Sequence, residues 1–389
     1  MISLSVPYIR NEEWELVKEC IDSEWVSYAG GFVSRFEKEL AAFTGSSHAA
    51  VMSSGTAALH VALVIAGVGV DDEVVLPSLS FVAPANAIRY CGAWPTFVDV
   101  SLKTWQWDLD LLEDFLRNDC TREQDGTLRN RSTGRRIGAI MPVHLLGDMA
   151  DTPRIARLCA EFGLPLIEDA AEVLGARIHG GGIGAPVPGE EGILRIVCTS
   201  FNGNKIMTTG GGGALFSNDA ASARLARHLS TTAKTNAIEF DHDRVGYNYR
   251  MSNMAAALGV GQLAHMDFFL LRKSEIAAAY TSALAGNPIM AACPPARDGV
   301  DSNHWLYTIL LRENSRPLLQ FMAGRSIQCR PLWKALPDLS YLSSCHVHSK
   351  ENAELMVERA LSLPCSVGLS AGDQAQVIAT LNDYAASTS

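Results

Sequence analysis

Along the first two-thirds of the chain, short apolar runs alternate with longer segments whose apolar residues recur at helical spacing. "HAAVMSS" leads into "GTAALHVALVIAGV", and "DDEVVLPSL" into "FVAPANAIRYCG". "WPTFVDV" follows, then "RIGAIMPVHLLG", the helical "DTPRIARLCAEFG" and the strand-like "LPLIEDAAEV". Alternating strand and helix signals with polar turns between them predict a doubly wound α/β domain with a mainly parallel sheet. The stretch Arg117–Arg136, "RNDCTREQDGTLRNRSTGRR", is polar and turn-prone and predicts an exposed loop. After about Leu263 the pattern changes to "FFLLRKSEIAAAYTSALAG", Pro-rich connections, a strand "WLYTILL" and late helices. This predicts two domains, a large α/β domain over residues 1–260 and a smaller α+β domain over 261–389.

Composition narrows the picture. A chain of 389 residues, 48% hydrophobic and 19% charged, reads as a soluble globular protein. A formal net charge of −10 and the lack of any dense basic run exclude a nucleic-acid surface. The start, "MISLSVPYIRNEEW", has no basic segment followed by an apolar core, so no signal peptide is read. The longest mostly apolar stretch, Ala57 to Val70, contains His60 and is too short to span a bilayer. No membrane partner and a cytoplasmic location are expected. Nine scattered cysteines without a C-x-x-C pair read as reduced thiols, mostly buried, with neither a disulfide framework nor a zinc site.

Three signals fall at the carboxyl ends of predicted strands, where open α/β sheets build their sites. In "SSGTAALH", Ser53 to His60, a small-residue turn opens a helix at Thr56 or Ala57, and free helix amides make an anion site. Any capped helix would read the same way. In "PLIEDAAEVLGA", Glu168 and Asp169 close an apolar strand and could serve a ribose or a cationic ring nitrogen. The absence of His or Cys at ligand spacing argues against metal, and a buried structural carboxylate is the ordinary alternative. In "SFNGNKIMTTGGGGALFSND", Lys205 precedes the glycines, so the order is not that of a P-loop. The four glycines precede a strand, which excludes a dinucleotide-binding turn. Lys205 is then either a covalent amine or a solvated lysine. Together, a phosphate cradle, a strand-end Asp and a later loop lysine are the parts that a pyridoxal 5'-phosphate enzyme needs.

The chain resembles the DegT/DnrJ/EryC1/StrS family of nucleotide-sugar aminotransferases, enzymes of pyridoxal phosphate fold type I. The likeness runs through "WVSYAGGFVSRFEKELAAFTG", "SSGTAALHVAL", "DEVVLPSLSFVAPANAIRYCGAWPTFVDV", "PLIEDAAEVLGA", "SFNGNKIMTTGGGGAL" and "GYNYRMSNMAAALGVGQL", nearly the whole length. It implies that Lys205 is the Schiff-base lysine and proton shuttle, and that Asp169 keeps the pyridine nitrogen protonated. Phe81 matches the aromatic that stacks on the ring, and Thr56 and Ala57 match the phosphate-binding turn. Ser200 matches the hydroxyl partner of the phosphate. Asn248 resembles an asparagine that reaches the phosphate of the neighbouring subunit, which implies a homodimer with shared sites.

Two departures stand out. Many members carry Gln or His where this chain has Glu172, which sits among the cofactor-binding positions, and a carboxylate there must be protonated or offset. Many read TTGEGG where this chain has Gly211 in place of the acid. With "SFNGNK", "STGRRIGAIMPVHLLGD" and "CRPLWKALP", these features are similar to the subgroup acting in legionaminic acid and bacillosamine synthesis. The resemblance therefore implies amination of the C4 ketone of UDP-4-keto-6-deoxy-N-acetylglucosamine with L-glutamate as donor. A 3-aminotransferase on another keto-deoxy sugar and a non-catalytic regulator on the same fold are the alternatives.

Overall fold

The computed structural model describes residues 1–236 and 238–388. Its large sheet has eight strands in the spatial order His48–Met52, Gly213–Ser217, Arg195–Ser200, Leu166–Asp169, Ile137–Ile140, Glu73–Pro77, Trp94–Val98 and His346–Val347. Gly213–Ser217 runs antiparallel to both its neighbours, and every other pairing in this sheet is parallel. The mainly parallel sheet expected from the sequence is present. Successive residues of His48–Met52 go to opposite faces. Ala49 and Val51 join one apolar layer, with Phe36, Phe201 and Phe269, while Ala50 and Met52 join the other, with Leu59, Leu63 and Leu76. Strands covered on both faces read as continuous apolar runs, because both alternating sets of positions must be apolar.

The polar stretch Arg117–Arg136 differs from the expected loop. Cys120–Arg122 and Leu128–Asn130 pair as an antiparallel hairpin. The tip carries its own turn chemistry: Gly126 has φ 87° and Asp125 Oδ1 accepts from the Thr127 N–H at 2.9 Å. The hairpin is anchored inward, since buried Asn130 donates from Nδ2 to Glu73 Oε2 at 2.9 Å. Charge density in the sequence hid a strand pair whose inward residues are few.

The C-terminal part forms an antiparallel four-stranded sheet, Met290–Ala292, Tyr307–Leu311, Ala360–Leu363 and Arg330–Pro331 in spatial order. Its core packs Tyr280, Tyr307, Leu363 and Val377. The expected boundary near residue 260 falls inside the helix Asn253–Leu263, which packs on the helices Asn11–Asp22 and Gly31–Thr44. The chain bends by 60° between that helix and Met266–Leu284. Two segments cross the division. Ile2 bridges Ile327, and the Leu4 carbonyl accepts from the Cys365 N–H at 2.8 Å, so the N-terminus belongs to the C-terminal lobe. His346–Val347, in turn, edges the large sheet.

Among the described residues no single helix is long and apolar enough to cross a membrane. All nine cysteines are free, seven of them buried.

Candidate active site

Strand ends from the large sheet and one face of the C-terminal lobe enclose a cavity of about 660 Å³. Lys205 reaches it from a tightly anchored loop. Phe201 is fully buried, its N–H donates to the Gly212 carbonyl at 2.8 Å, and its own carbonyl accepts from the Thr209 N–H at 3.0 Å. The Lys205 N–H donates to the Asn202 carbonyl at 3.0 Å. These bonds leave the loop little freedom and aim the lysine side chain inward, where it is only 13% exposed. Its Nζ lies 3.7 Å from Glu172 Oε1 and 3.9 Å from the centroid of the Trp305 ring. The Trp305 indole N–H donates to the Asn204 carbonyl at 2.7 Å, tying the ring to the lysine loop. Lys205 is not a solvated surface lysine.

The two acids that close Leu166–Asp169 part company, as adjacent strand residues must. Glu168 is fully buried away from the cavity. Arg195 Nε donates to its Oε1 at 2.5 Å, and His144 and Thr152 hold its Oε2 at 2.9 and 3.1 Å. His144 Nδ1 accepts from the Ala150 N–H at 3.0 Å, so its Nε2 carries the proton given to Glu168. Burial pushes the Glu168 carboxyl up, but Arg195 and His144 together outweigh it and hold it at about 2. Glu168 is a structural carboxylate.

Asp169 points into the cavity. Its Oδ1 accepts from the Ala171 N–H at 3.0 Å, and its backbone is fixed on both sides, N–H to Pro142 and C=O from His144. Burial raises its pKa, and the Ala171 N–H, Lys205 and His144 offset this only in part. Glu172, three residues on in the turn that follows the strand, is 4% exposed and accepts the Leu146 N–H on Oε2 at 2.8 Å. Burial and the Asp169 charge push it to about 7 against the pull of Lys205 and the Leu146 N–H.

Opposite lies the start of the helix Gly55–Ile65. Ser54 is its N-cap, and its Oγ accepts the Ala57 N–H at 3.0 Å. Thr56 lines the cavity; Ala57 does not, and its N–H is committed to the cap. The first helical amides, those of Gly55 and Thr56, have no partner one turn back, and both residues line the cavity. Gly213 makes the close packing possible: a Cβ there would meet the Gly55 nitrogen at 2.5 Å and the Ser54 carbonyl carbon at 2.5 Å. Ser200 lines the same end, and Phe81, 52% exposed, stands at the mouth. Gly211 also lines the cavity, and a Cβ on it would meet nothing within 4 Å.

Asn248 is the outlier. It is exposed, bridges Thr231 through its backbone, and does not line the cavity of its own chain. Nor does it cap the following helix, because Ser252 does, with its Oγ accepting from Ala255. Sequence reasoning singled out neither Trp305 nor the pair Arg330 and Trp333, which line the cavity from the C-terminal lobe. The "CRPLWKALP" stretch marked the neighbourhood of the last two, while nothing local marks Trp305.

Free helix amides, a buried acid with one side toward the cavity, and an enclosed amine fit one group in particular. A phosphate suits the Gly55–Thr56 amides, and a protonated ring nitrogen at Asp169 would relieve the penalty of its burial. Fold and site together define a pyridoxal phosphate-dependent enzyme of fold type I. The chain belongs to the DegT/DnrJ/EryC1/StrS aminotransferase family, whose model matches residues 7–382. It is 32% identical over 380 residues to the GDP-perosamine synthase of Escherichia coli O157:H7, covering 97% of each chain. It is 30% identical over 400 residues to a dTDP-4-dehydro-2,3,6-trideoxy-D-glucose 4-aminotransferase of Saccharopolyspora spinosa, covering 99% of this chain and 96% of that one. The fold superposes on the aminotransferase TlmJ from Streptoalloteichus hindustanus with a TM-score of 0.89, 29% identity and complete coverage of both chains. The protein is a pyridoxal phosphate-dependent sugar-nucleotide aminotransferase.

Proposed function

We propose that this enzyme aminates the C4 ketone of UDP-4-keto-6-deoxy-N-acetylglucosamine, taking the amino group from L-glutamate. The observation that carries the chemistry is the placement of Lys205 between Glu172 and Trp305 on the cavity that Asp169 also lines. Position 4 is supported by a relative whose name gives 4-amination of a 4-keto deoxy sugar. The nucleotide and the acetamido sugar rest on the likeness of "SFNGNK" and "CRPLWKALP" to the legionaminic acid and bacillosamine subgroup.

Pyridoxal phosphate, when bound, supplies a carbonyl that condenses with amines and a ring that holds an electron pair. Lys205 provides the amine that tethers it and then moves a proton at the reacting carbon. Asp169 keeps a proton on the ring nitrogen, and its burial concentrates that electrostatic effect. The Gly55 and Thr56 amides and the Ser200 hydroxyl hold the phosphate. Phe81 covers the ring face and Trp305 shields the lysine from water. Arg330, a cavity guanidinium without an ion-pair partner among the described residues, faces the substrate side and suits an oxyanion of either substrate. Asn248 completes the phosphate site of a second subunit in a homodimer. Exposed Trp14, Ile21, Trp25, Val26 and Tyr28 supply apolar surface for such a partner.

A panel of keto-sugar nucleotides incubated with enzyme, cofactor and L-glutamate tests the reading. The expected product is the UDP-linked 4-amino sugar, with no product from Lys205→Ala. Amination at C3, preference for another nucleotide, or wild-type-like turnover in Lys205→Ala would overturn it.

A further inference from the structure

Glu172 is the position where the chain departs from the commoner Gln or His, and its surroundings show what a carboxylate does there. The carboxyl cannot swing away. One oxygen accepts the Leu146 N–H at 2.8 Å. That donor is rigid, because Leu146 sits in the left-handed region at φ 61° and its neighbour Leu145 is clamped twice by Gln106, at 3.0 Å in each direction. The other oxygen is left facing Lys205 Nζ at 3.7 Å, close enough for a proton to pass directly after a small rotation or through one water.

The charge balance decides what this closeness means. Four charged side chains line the cavity: Asp169, Glu172, Lys205 and Arg330. Arg330 is exposed on an edge strand of the C-terminal lobe, and Glu168, behind the sheet, is already neutralised by Arg195. Near Asp169, His144 is occupied by Glu168, and Cys198, the register partner of Asp169 on the neighbouring strand, is kept a neutral thiol by burial, which pushes its pKa well up. On Glu172 itself the backbone carbonyl accepts from Asn303 Nδ2 at 2.9 Å, so the element from the C-terminal lobe brings no charge to it. Two buried acids therefore depend on one buried cation. When that cation is discharged, one acid must take up a proton, because two unpaired carboxylates in a low-dielectric site repel each other and lack solvation. Asp169 has the ring nitrogen as a cationic partner; Glu172 has none.

We propose that Glu172 and Lys205 form a proton-exchanging pair, in which Glu172 stores the proton that Lys205 gives up on forming its covalent bond and returns it when the free lysine is regenerated. This rests on the aminotransferase reading above. The step balances. The lysine ammonium loses two hydrogens with the carbonyl oxygen as water as the C=N bond forms, and its third proton passes to the Glu172 carboxylate. Charge is conserved within the site, a cation and an anion becoming two neutral groups. The carboxyl's position near neutrality while Lys205 is charged fits this exchange, since loss of the nearby cation drives it higher. An amide at this position could donate a hydrogen bond but could not store the proton.

Two measurements test the pair. Infrared titration of the carboxyl groups in cofactor-free protein, with Glu172→Gln as the subtraction, isolates Glu172. Lys205→Ala should move its titration up by at least one pH unit, and an unchanged or lowered midpoint overturns the proposal without reference to turnover. Loading with pyridoxal phosphate in weakly buffered solution at about pH 7.5 gives the second readout. Glu172→Gln should release more protons per site than wild type, by up to one, once loading is matched by the visible band. Equal release from the two proteins overturns the proposal. The aminotransferase reading fails separately, if the loaded wild-type protein shows no spectral change with L-glutamate or any other amino donor.

Discussion

A single peptide bond separates Glu168 from Asp169, yet the two carboxyls meet opposite conditions. Glu168 has Arg195 and His144 as partners, whereas Asp169 has only the Ala171 amide close by and distant help from Lys205 and His144. An uncompensated buried acid is a poor structural device and a good partner for a cation that arrives with a ligand. Asp169→Asn should accordingly keep bound cofactor while losing about a hundredfold or more in kcat, since an amide cannot hold the ring nitrogen protonated. Turnover within threefold of wild type would return Asp169 to a structural role. Glu172 predicts a pH effect on stability. A carboxyl held at about 7 in the folded protein, above its ordinary range near 4.5, stabilises fully below that range. That contribution is lost as pH rises through about 7. Thermal unfolding of the cofactor-free protein should show Glu172→Gln gaining on wild type between about pH 4.5 and 7.5, with roughly 3 kcal/mol as the upper bound. A pH-independent difference would contradict the burial of the Glu172 carboxyl beside Asp169. The sequence exposed the acid pair and the lysine as chemically special. It could not divide the acids, because their division depends on Arg195, which sits on a neighbouring strand.

Where an element begins mattered more here than its length. The helix Gly55–Ile65 is apolar on nearly every face, so its position is set by packing between sheet and neighbouring helices, and its start is set by Ser54. The last of the four glycines is needed because Gly213 opens a strand that lies against this start. Gly213→Ala would drive a Cβ into the Ser54–Gly55 backbone, which has no side chain to move aside. The expected result is a loss of about 1–3 kcal/mol in stability and at least a tenfold weaker affinity for pyridoxal phosphate, measured by absorbance titration. Unchanged affinity would mean that the turn can shift without losing its amides. At this scale the sequence was most legible where strands were buried on both faces, as in "EVVLP" and "IGAI". It was least legible in Arg117–Arg136, where a hairpin held by Asn130 and a small turn carries mostly polar residues.

At the scale of the whole molecule, the cavity is a product of long-range folding. Trp305, Arg330 and Trp333 come from the C-terminal lobe to meet residues near 54, 81, 169 and 205, and no local pattern encodes such a meeting. The N-terminal segment adds a further tie, as Ser5 Oγ donates to the Asn204 carbonyl at 3.1 Å, beside the lysine. Asn248 belongs to this scale as well. It is exposed, does not line the cavity of its own chain and is not used as a helix cap, so its expected role requires a second copy of the chain. A two-fold axis that brings Asn248 to the partner's Ser54–Thr56 turn makes each site depend on both chains. Mixing Lys205→Ala with Asn248→Ala, each inactive alone, then yields heterodimers in which one site carries both lesions and the other carries neither. Random exchange of equal amounts makes half the dimers mixed, so about a quarter of wild-type activity should return. Were each site built from one chain only, every site in the mixture would keep one lesion. Demonstrated subunit exchange without recovered activity would therefore assign Asn248 to its own subunit and remove the shared site.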